Sequence, residues 1–187
     1  PLWISILFVI AALLLLGVEY DTYMLGAKYI SYFLTPATIC FAIPLYQQFE
    51  TLKQNYKAIL LGVSAGVIAC LGSILLFAVV FRFTHAQYVS FLPKSITTAI
   101  GLGLSQEYGG DAALTAISIL VTGLTGNIAA EGILKLFKIT EPVARGLGIG
   151  TASHAIGTAK AMELGEVEGA MSSLAIVVTG LATVIAA

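Results

Sequence analysis

Apolar positions along the chain gather into four long runs, Leu2–Val18, Ala58–Phe83, Ala113–Phe137 and Glu168–Ala187. Each is roughly 17–26 residues, enough for a helix to cross about 30 Å of hydrocarbon. Three shorter apolar stretches lie between them: Phe33–Phe49, Pro93–Gln106 and Val143–Met162. Proline and glycine break these, at Pro36 and Pro44, at Pro93, Gly101 and Gly103, and at Gly146, Gly148, Gly150 and Gly157. Proline removes a backbone donor, and glycine weakens a helix interior. Irregular backbone at membrane depth survives only against protein or a watery cavity, so these stretches are predicted to face inward. The pattern predicts an all-α, polytopic transmembrane bundle with broken or re-entrant half-helices, organised as one integral membrane domain over 1–187.

Composition narrows the class. Hydrophobic residues make up 58% of the 187 positions and charged residues 10%, and mean hydropathy is +0.97. A soluble domain carries about a quarter charged residues, so this chain could not cover a water-facing surface. A net charge of −1 without charge runs argues against a nucleic-acid partner. Cys40 and Cys70 lie inside apolar stretches without metal-ligand spacing. Pro1 opens directly on an apolar run with no charged leader, and the natural N-terminus is expected upstream. Seven tyrosines near run ends fit interfacial anchors, and Gly62-x-x-x-Gly66 fits close helix packing.

Lys135, Lys138 and Arg145 form the clearest basic loop and are expected on the cytoplasmic side. Glu163, Glu166 and Glu168 then fall on the opposite side if Val143–Met162 crosses. Arg82, His85 and Lys94 do not fit an arrangement in which every broken stretch crosses. Either one stretch is re-entrant or the charge rule fails.

The broken stretches resemble one another, in copies around 33–57, 93–111 and 143–167. Each has Ala-Ile followed by Pro or Gly, with a glutamate eight residues after the alanine: Ala42 and Glu50, Ala99 and Glu107, Ala155 and Glu163. A hydroxyl residue stands four before each alanine, at Thr38, Ser95 and Thr151. A long run follows each copy, and the last two share Val-Thr-Gly-Leu at Val121–Leu124 and Val178–Leu181. Paired broken helices in a repeat point to a midplane substrate site, where half-helix N-termini suit an anion.

Thr151 to Lys160 is the most polar run with apolar flanks. A histidine and a lysine inside a membrane stretch are costly and become functional candidates. Helical spacing would place Thr151, His154 and Thr158 near one face. Candidate substrate-binding residues are Thr151, Ser153, His154 and Thr158, with Ser95, Thr97 and Thr98 from the second copy and Thr38 from the first. Lys94 beside its hydroxyls could receive a carboxylate or could cap a helix start at the interface. Candidates for ion or proton coupling are His154, Lys160, Glu131 and Asn127. Lys160 could equally snorkel toward Glu163, and Glu131, four residues after Asn127, could serve packing. For Arg145 positive-inside anchoring is favoured. No nucleophile elbow, Walker lysine loop, HExxH or CxxC pair occurs, so no enzyme, cofactor or metal is expected, and passive or ion-coupled transport is favoured over pumping.

Leu34-Thr35-Pro36-Ala37-Thr38 with Pro44-Leu45-Tyr46, Pro93 to Thr98, Ala144 to Leu147 and Gly150 to Ala159 together resemble the LrgB/CidB family. So does Glu163 to Ala170. The resemblance covers nearly the whole chain, with Gly150-Thr151-Ala152-Ser153-His154 its most specific signature. It implies a multi-pass protein of the bacterial inner (plasma) membrane, antiholin-like, or the related plastid glycolate/glycerate translocator. Two activities come with it. One is movement of small monocarboxylates such as pyruvate, glycolate or glycerate. The other is control of murein hydrolases and lysis with an LrgA/CidA-type partner. Repeated broken helices favour transport of a small organic anion, by analogy within a homodimer in the lipid bilayer.

Overall fold

A computed structural model describes residues 2–33, 36, 39–40 and 42–186. They are helical with no strand among the described residues, an all-α membrane bundle. The chain divides into two compact units, residues 1–43 and 44–187.

The first unit holds α1 (Leu2–Leu16) and α2 (Tyr20–Ser31). Gly17 ends α1 at φ +61, and the Gly17 and Val18 N–H groups donate back to Leu14 O and Leu13 O. That left-handed stop suits glycine, which has no Cβ to clash. α2 has Asp21 in its first turn and Lys28 in its last, each complementing the helix dipole. At 15 residues, α1 is about 22 Å long, shorter than the predicted crossing. Thr38 lies outside the described residues.

The second unit begins within α3 (Ala42–Gln47) and continues through α4 (Phe49–Gln54), α5 (Tyr56–Phe81), α6 (His85–Phe91), α7 (Thr98–Glu107), α8 (Ala112–Leu136), α9 (Pro142–Leu164) and α10 (Glu166–Ala186). Among the described residues three helices are long and apolar enough to cross a membrane: α5, α8 and α10. They correspond to three of the four predicted runs.

Both broken stretches in this unit fold back on themselves. In the first, α6 stops at Phe91 ahead of Pro93, which cannot continue a helix. Short turns follow, and α7 starts after Thr97 in extended geometry (ψ 144). The two ends of this hairpin meet, with His85 Nε2 3.2 Å from Tyr108 O and Asp111 N donating to Ser90 Oγ at 2.7 Å. In the second, α9 breaks at His154 (φ 43, ψ −141). A Cβ on Gly157 would lie 3.0 Å from Ile149 Cγ2, yet eight residues of continuous helix span about 12 Å. The outgoing arm (142–153) therefore lies beside the return arm (155–164).

Neighbour pairs fix the directions. Gly62 faces Leu147 and Gly66 faces Thr151, so α5 runs parallel to the outgoing arm; Gly146 against Glu168 and Gly150 against Ser172 make α10 parallel to it too. Gly62-x-x-x-Gly66 thus serves close packing, as predicted. The return arm runs parallel to α8, through Asn127 to Ile156 and Glu131 to Lys160. It runs antiparallel to α10, through Thr158 to Ser172 and Met162 to Gly169. Helix α8 is therefore inverted relative to α5 and α10. A core of Ile59, Val63, Val67, Leu147 and Met171 seals α5, the outgoing arm and α10 together.

A hairpin followed by one long helix occurs twice, as 85–136 and 142–186, in opposite orientations. This is the organisation of inverted repeats. Because the second hairpin returns, Glu163, Glu166 and Glu168 share an end with Lys135 and Lys138. The alternative in which Val143–Met162 crosses is replaced by re-entry, which puts Arg82 and His85 at the end opposite Lys135 and Lys138 and Lys94 at a hairpin tip.

Candidate functional site

The two hairpin tips meet beside the middle of α5. Thr151, near one tip, packs on Gly66. Ser95, at the other, accepts a hydrogen bond from Cys70 Sγ at 3.3 Å. Gly66 and Cys70 are four residues apart, about 6 Å along the helix, and both lie near the centre of Tyr56–Phe81.

A cavity of about 800 Å³ opens there. Its walls are small, with Gly62, Gly66 and Ala69 on α5 facing Ala144, Gly148 and Ala152 on the outgoing arm. Lys94, Ser95, Thr122 and Thr151 supply its deep polar groups, and Asn55 and Glu141 stand at the other end. Ser95 and Thr151 are the hydroxyl residues four before the repeated alanines, so equivalent positions of two repeats line one space. Thr151 is 7% exposed, and its Oγ1 has no hydrogen-bond partner. Among the described residues no carboxylate pairs with Lys94. An unpaired ammonium and an unsatisfied hydroxyl at membrane depth are costly, and both lose that cost against an anion. The return arms begin at Thr98 and Ala155, placing a positive helix end at each tip.

The other candidates point elsewhere. His154 interrupts the helix, so Thr151 and Thr158 do not share a face. The His154 Nε2–H donates to Ile119 O at 3.0 Å, and its ring lies against Gly123. Ser153 packs on Gly126. Thr158 Oγ1 bonds His154 O and Ser172 Oγ at 3.0 and 2.7 Å. Asn127 Nδ2 donates to Ile156 O at 2.8 Å. These four side chains hold the second tip against α8 and α10. Thr97 caps α7 without a side-chain bond, and Thr98 is exposed; neither lines the cavity.

Lys160 bridges Glu131 at 2.8 Å and Glu163 at 3.0 Å, and Lys135 adds a contact to Glu131 at 3.3 Å. This cluster ties the return arm to α8 at the basic end, away from the tips. Arg145 pairs with Glu168 at 3.0 Å, with side chains 26% and 7% exposed, so it joins the outgoing arm to α10 as well as carrying charge. Cys70 and Thr122 in the cavity wall were not singled out from sequence. Thr122 belongs to the repeated Val-Thr-Gly-Leu run, which was the available signal; a lone cysteine in an apolar run gave none.

Inverted hairpin repeats around a cavity of mostly small, apolar walls with a few polar groups define an all-α helical membrane protein. The LrgB-like family model matches residues 1–187, and the chain belongs to that family. No solved structure matches it.

Proposed function

We propose that the protein carries small monocarboxylates of the pyruvate, glycolate or glycerate type across the membrane, in the cavity between its hairpin tips. The observation that carries this reading is the buried, unpartnered Thr151 Oγ1 in the same cavity as an unpaired Lys94. The substrate carboxylate lies against Lys94, and its 2-oxo or hydroxyl oxygen takes hydrogen bonds from Ser95 and Thr151. One cation matches one negative charge, which selects monoanions over dianions. Movement is facilitative or ion-coupled, and the chain binds and releases its solute without chemical change.

The orientation follows from charge. In the second unit Lys53, Lys57, Lys135, Lys138, Arg145 and Lys160 gather at one end, and Arg82 stands at the other. Basic flanks stay cytoplasmic, so the end bearing Asn55 and Glu141 faces the cytoplasm in a plasma-membrane, multi-pass arrangement. A cavity that holds Lys94, Ser95 and Thr151 among small apolar walls favours a carrier over the regulator of murein hydrolases and lysis acting with an LrgA/CidA-type partner.

The test is uptake of radiolabelled pyruvate and glycolate into proteoliposomes. Saturable uptake that is lost in Thr151→Val and Lys94→Gln, both folded, is the expected result. Uptake no higher than in empty liposomes, from protein with an intact thermal transition, would overturn it in favour of the lysis-regulator reading.

A further inference from the structure

Lys94 borders a second space. On the far side of the first hairpin tip, a groove of about 380 Å³ is lined by Ile74, Phe77, Phe81, Phe83 and Phe91, with Lys94 its one charged residue. The volume is within the range of about 300–1,000 Å³ of small-molecule sites. Ile74 and Phe81 are seven residues apart on α5, so the groove extends about 10 Å along that helix. Its outer end lies at Phe81 and Phe83, beside Arg82. The phenylalanines form a connected wall, with ring centroids 6.1 Å apart for Phe77–Phe81, 6.3 Å for Phe81–Phe83 and 5.4 Å for Phe83–Phe91.

An apolar slot with one cation at its inner end is complementary to an amphiphile with one negative head. We propose that this groove is a second binding site, for a monocarboxylate with an apolar tail such as a medium-chain fatty acid. Its carboxylate pairs with Lys94 and its tail lies along the phenylalanine wall toward the Arg82 end. Zwitterionic and cationic amphiphiles lack the matching charge, and an uncharged alcohol leaves the ammonium unpaired at depth. Because Lys94 also borders the cavity of Ser95 and Thr151, one ammonium faces two carboxylate sites. A tailed acid in the groove therefore competes with a short acid in the cavity. The competition rests on the transport reading; binding in the groove does not.

The probe is octanoate, with octan-1-ol as the tail without the charge and acetate as the charge without the tail. Binding to purified full-chain protein is read by calorimetry and by the thermal midpoint, which a ligand of the folded state raises. Octanoate is expected to bind and raise the midpoint, with octan-1-ol inactive and any acetate response unchanged by Phe77→Ala, since acetate has no tail for the phenylalanine wall. Phe77→Ala, at a half-exposed ring outside the cavity, should weaken octanoate on the order of fivefold with pyruvate uptake unchanged. Lys94→Gln should abolish the octanoate response. Equal binding of octanoate and octan-1-ol, or octanoate binding insensitive to both substitutions, would overturn the site. Lys94-dependent octanoate binding without any pyruvate uptake would support the site and overturn the transport reading alone. Uptake intact without octanoate binding would do the reverse.

Discussion

Gly180 lies against Ile100: a Cβ on the glycine would stand 3.3 Å from Ile100 Cδ1. The equivalent residues in the other direction are Gly123 and Ile156, and there the Cβ would stand 2.9 Å from Ile156 Cδ1. The long helix of each repeat thus presents its Val-Thr-Gly-Leu glycine to the return arm of the other. An exchange of this kind is what a two-fold relation between the repeats requires, and it links a sequence duplication to a packing contact.

The exchange is unequal, which gives a prediction. A Cβ at Gly123 would also lie 2.6 Å and 2.7 Å from His154 Cε1 and Nε2, where the ring is held. Alanine in place of glycine gains about 1 kcal/mol of helix propensity, and overpacking costs about 1–3 kcal/mol. Gly180→Ala should therefore be neutral or slightly stabilising, because only the flexible end of Ile100 must yield. Gly123→Ala should destabilise by up to about 2 kcal/mol, after the propensity gain is set against overpacking. Equilibrium unfolding of both variants checks this, and equal effects would count against the held ring.

Re-entry of both hairpins has its own consequence. Single cysteines at His85 and Tyr108 should react with an impermeant thiol reagent from one face of the membrane. Cysteines at Glu141 and Glu163 should react from the opposite face. Labelling of His85 and Tyr108 from different faces would mean that the first broken stretch crosses. The comparison is made against parent protein, since Cys40 is exposed.

The long helices were legible in the sequence because twenty or more apolar positions admit little else in a membrane, and Ala58–Phe83 and Ala113–Phe137 match α5 and α8 within two residues. Inward placement of the second and third broken stretches followed from Pro93 and the glycines, whereas Phe33, Ile39, Ile43, Tyr46 and Phe49 of the first are exposed, against the expectation. The return of the second and third stood only as an alternative, because a crossing and a hairpin of this length share one hydropathy pattern. Contacts such as Ile149 to Gly157 separate them, and these depend on tertiary packing. The outgoing arm of the first hairpin, His85–Phe91, was missed altogether. Its polar start at His85 and Gln87 resembles a loop, and a capping box between Thr84 and Gln87 is what begins the helix there. Around the cavity, the aligned hydroxyls Ser95 and Thr151 were legible through the repeat. The turn of His154, Ser153 and Thr158 away from the cavity and into the packing against α8 and α10 was not, because it depends on one backbone angle.

That angle is testable. His154 occupies φ 43, ψ −141, a conformation that costs a non-glycine residue about 1–3 kcal/mol. The bond to Ile119 O and the fit against Gly123 hold it there. His154→Ala loses the ring contacts and keeps the strain. His154→Gly loses the same contacts and releases the strain. The glycine variant should therefore be the more stable of the two by about 1 kcal/mol. In a regular helix the order would reverse, since alanine is the better helix former. Chemical denaturation of the pair decides between a hairpin tip and a continuous helix at this position.

Thr151 separates stability from function. Its Oγ1 is buried without a partner, and an unsatisfied buried hydroxyl costs about 1–3 kcal/mol. Valine has nearly the same shape and no hydroxyl, and it keeps the methyl that rests on Gly66. Thr151→Val should raise the stability of the unloaded protein by about 1 kcal/mol while removing uptake. Thr151→Ser should retain uptake, because the hydroxyl stays, and lose stability through the missing methyl. The opposite order, valine destabilised and serine neutral, would mean that the hydroxyl is satisfied within the fold. A position that weakens the empty protein and strengthens the loaded one is expected where polar groups are held ready for a solute.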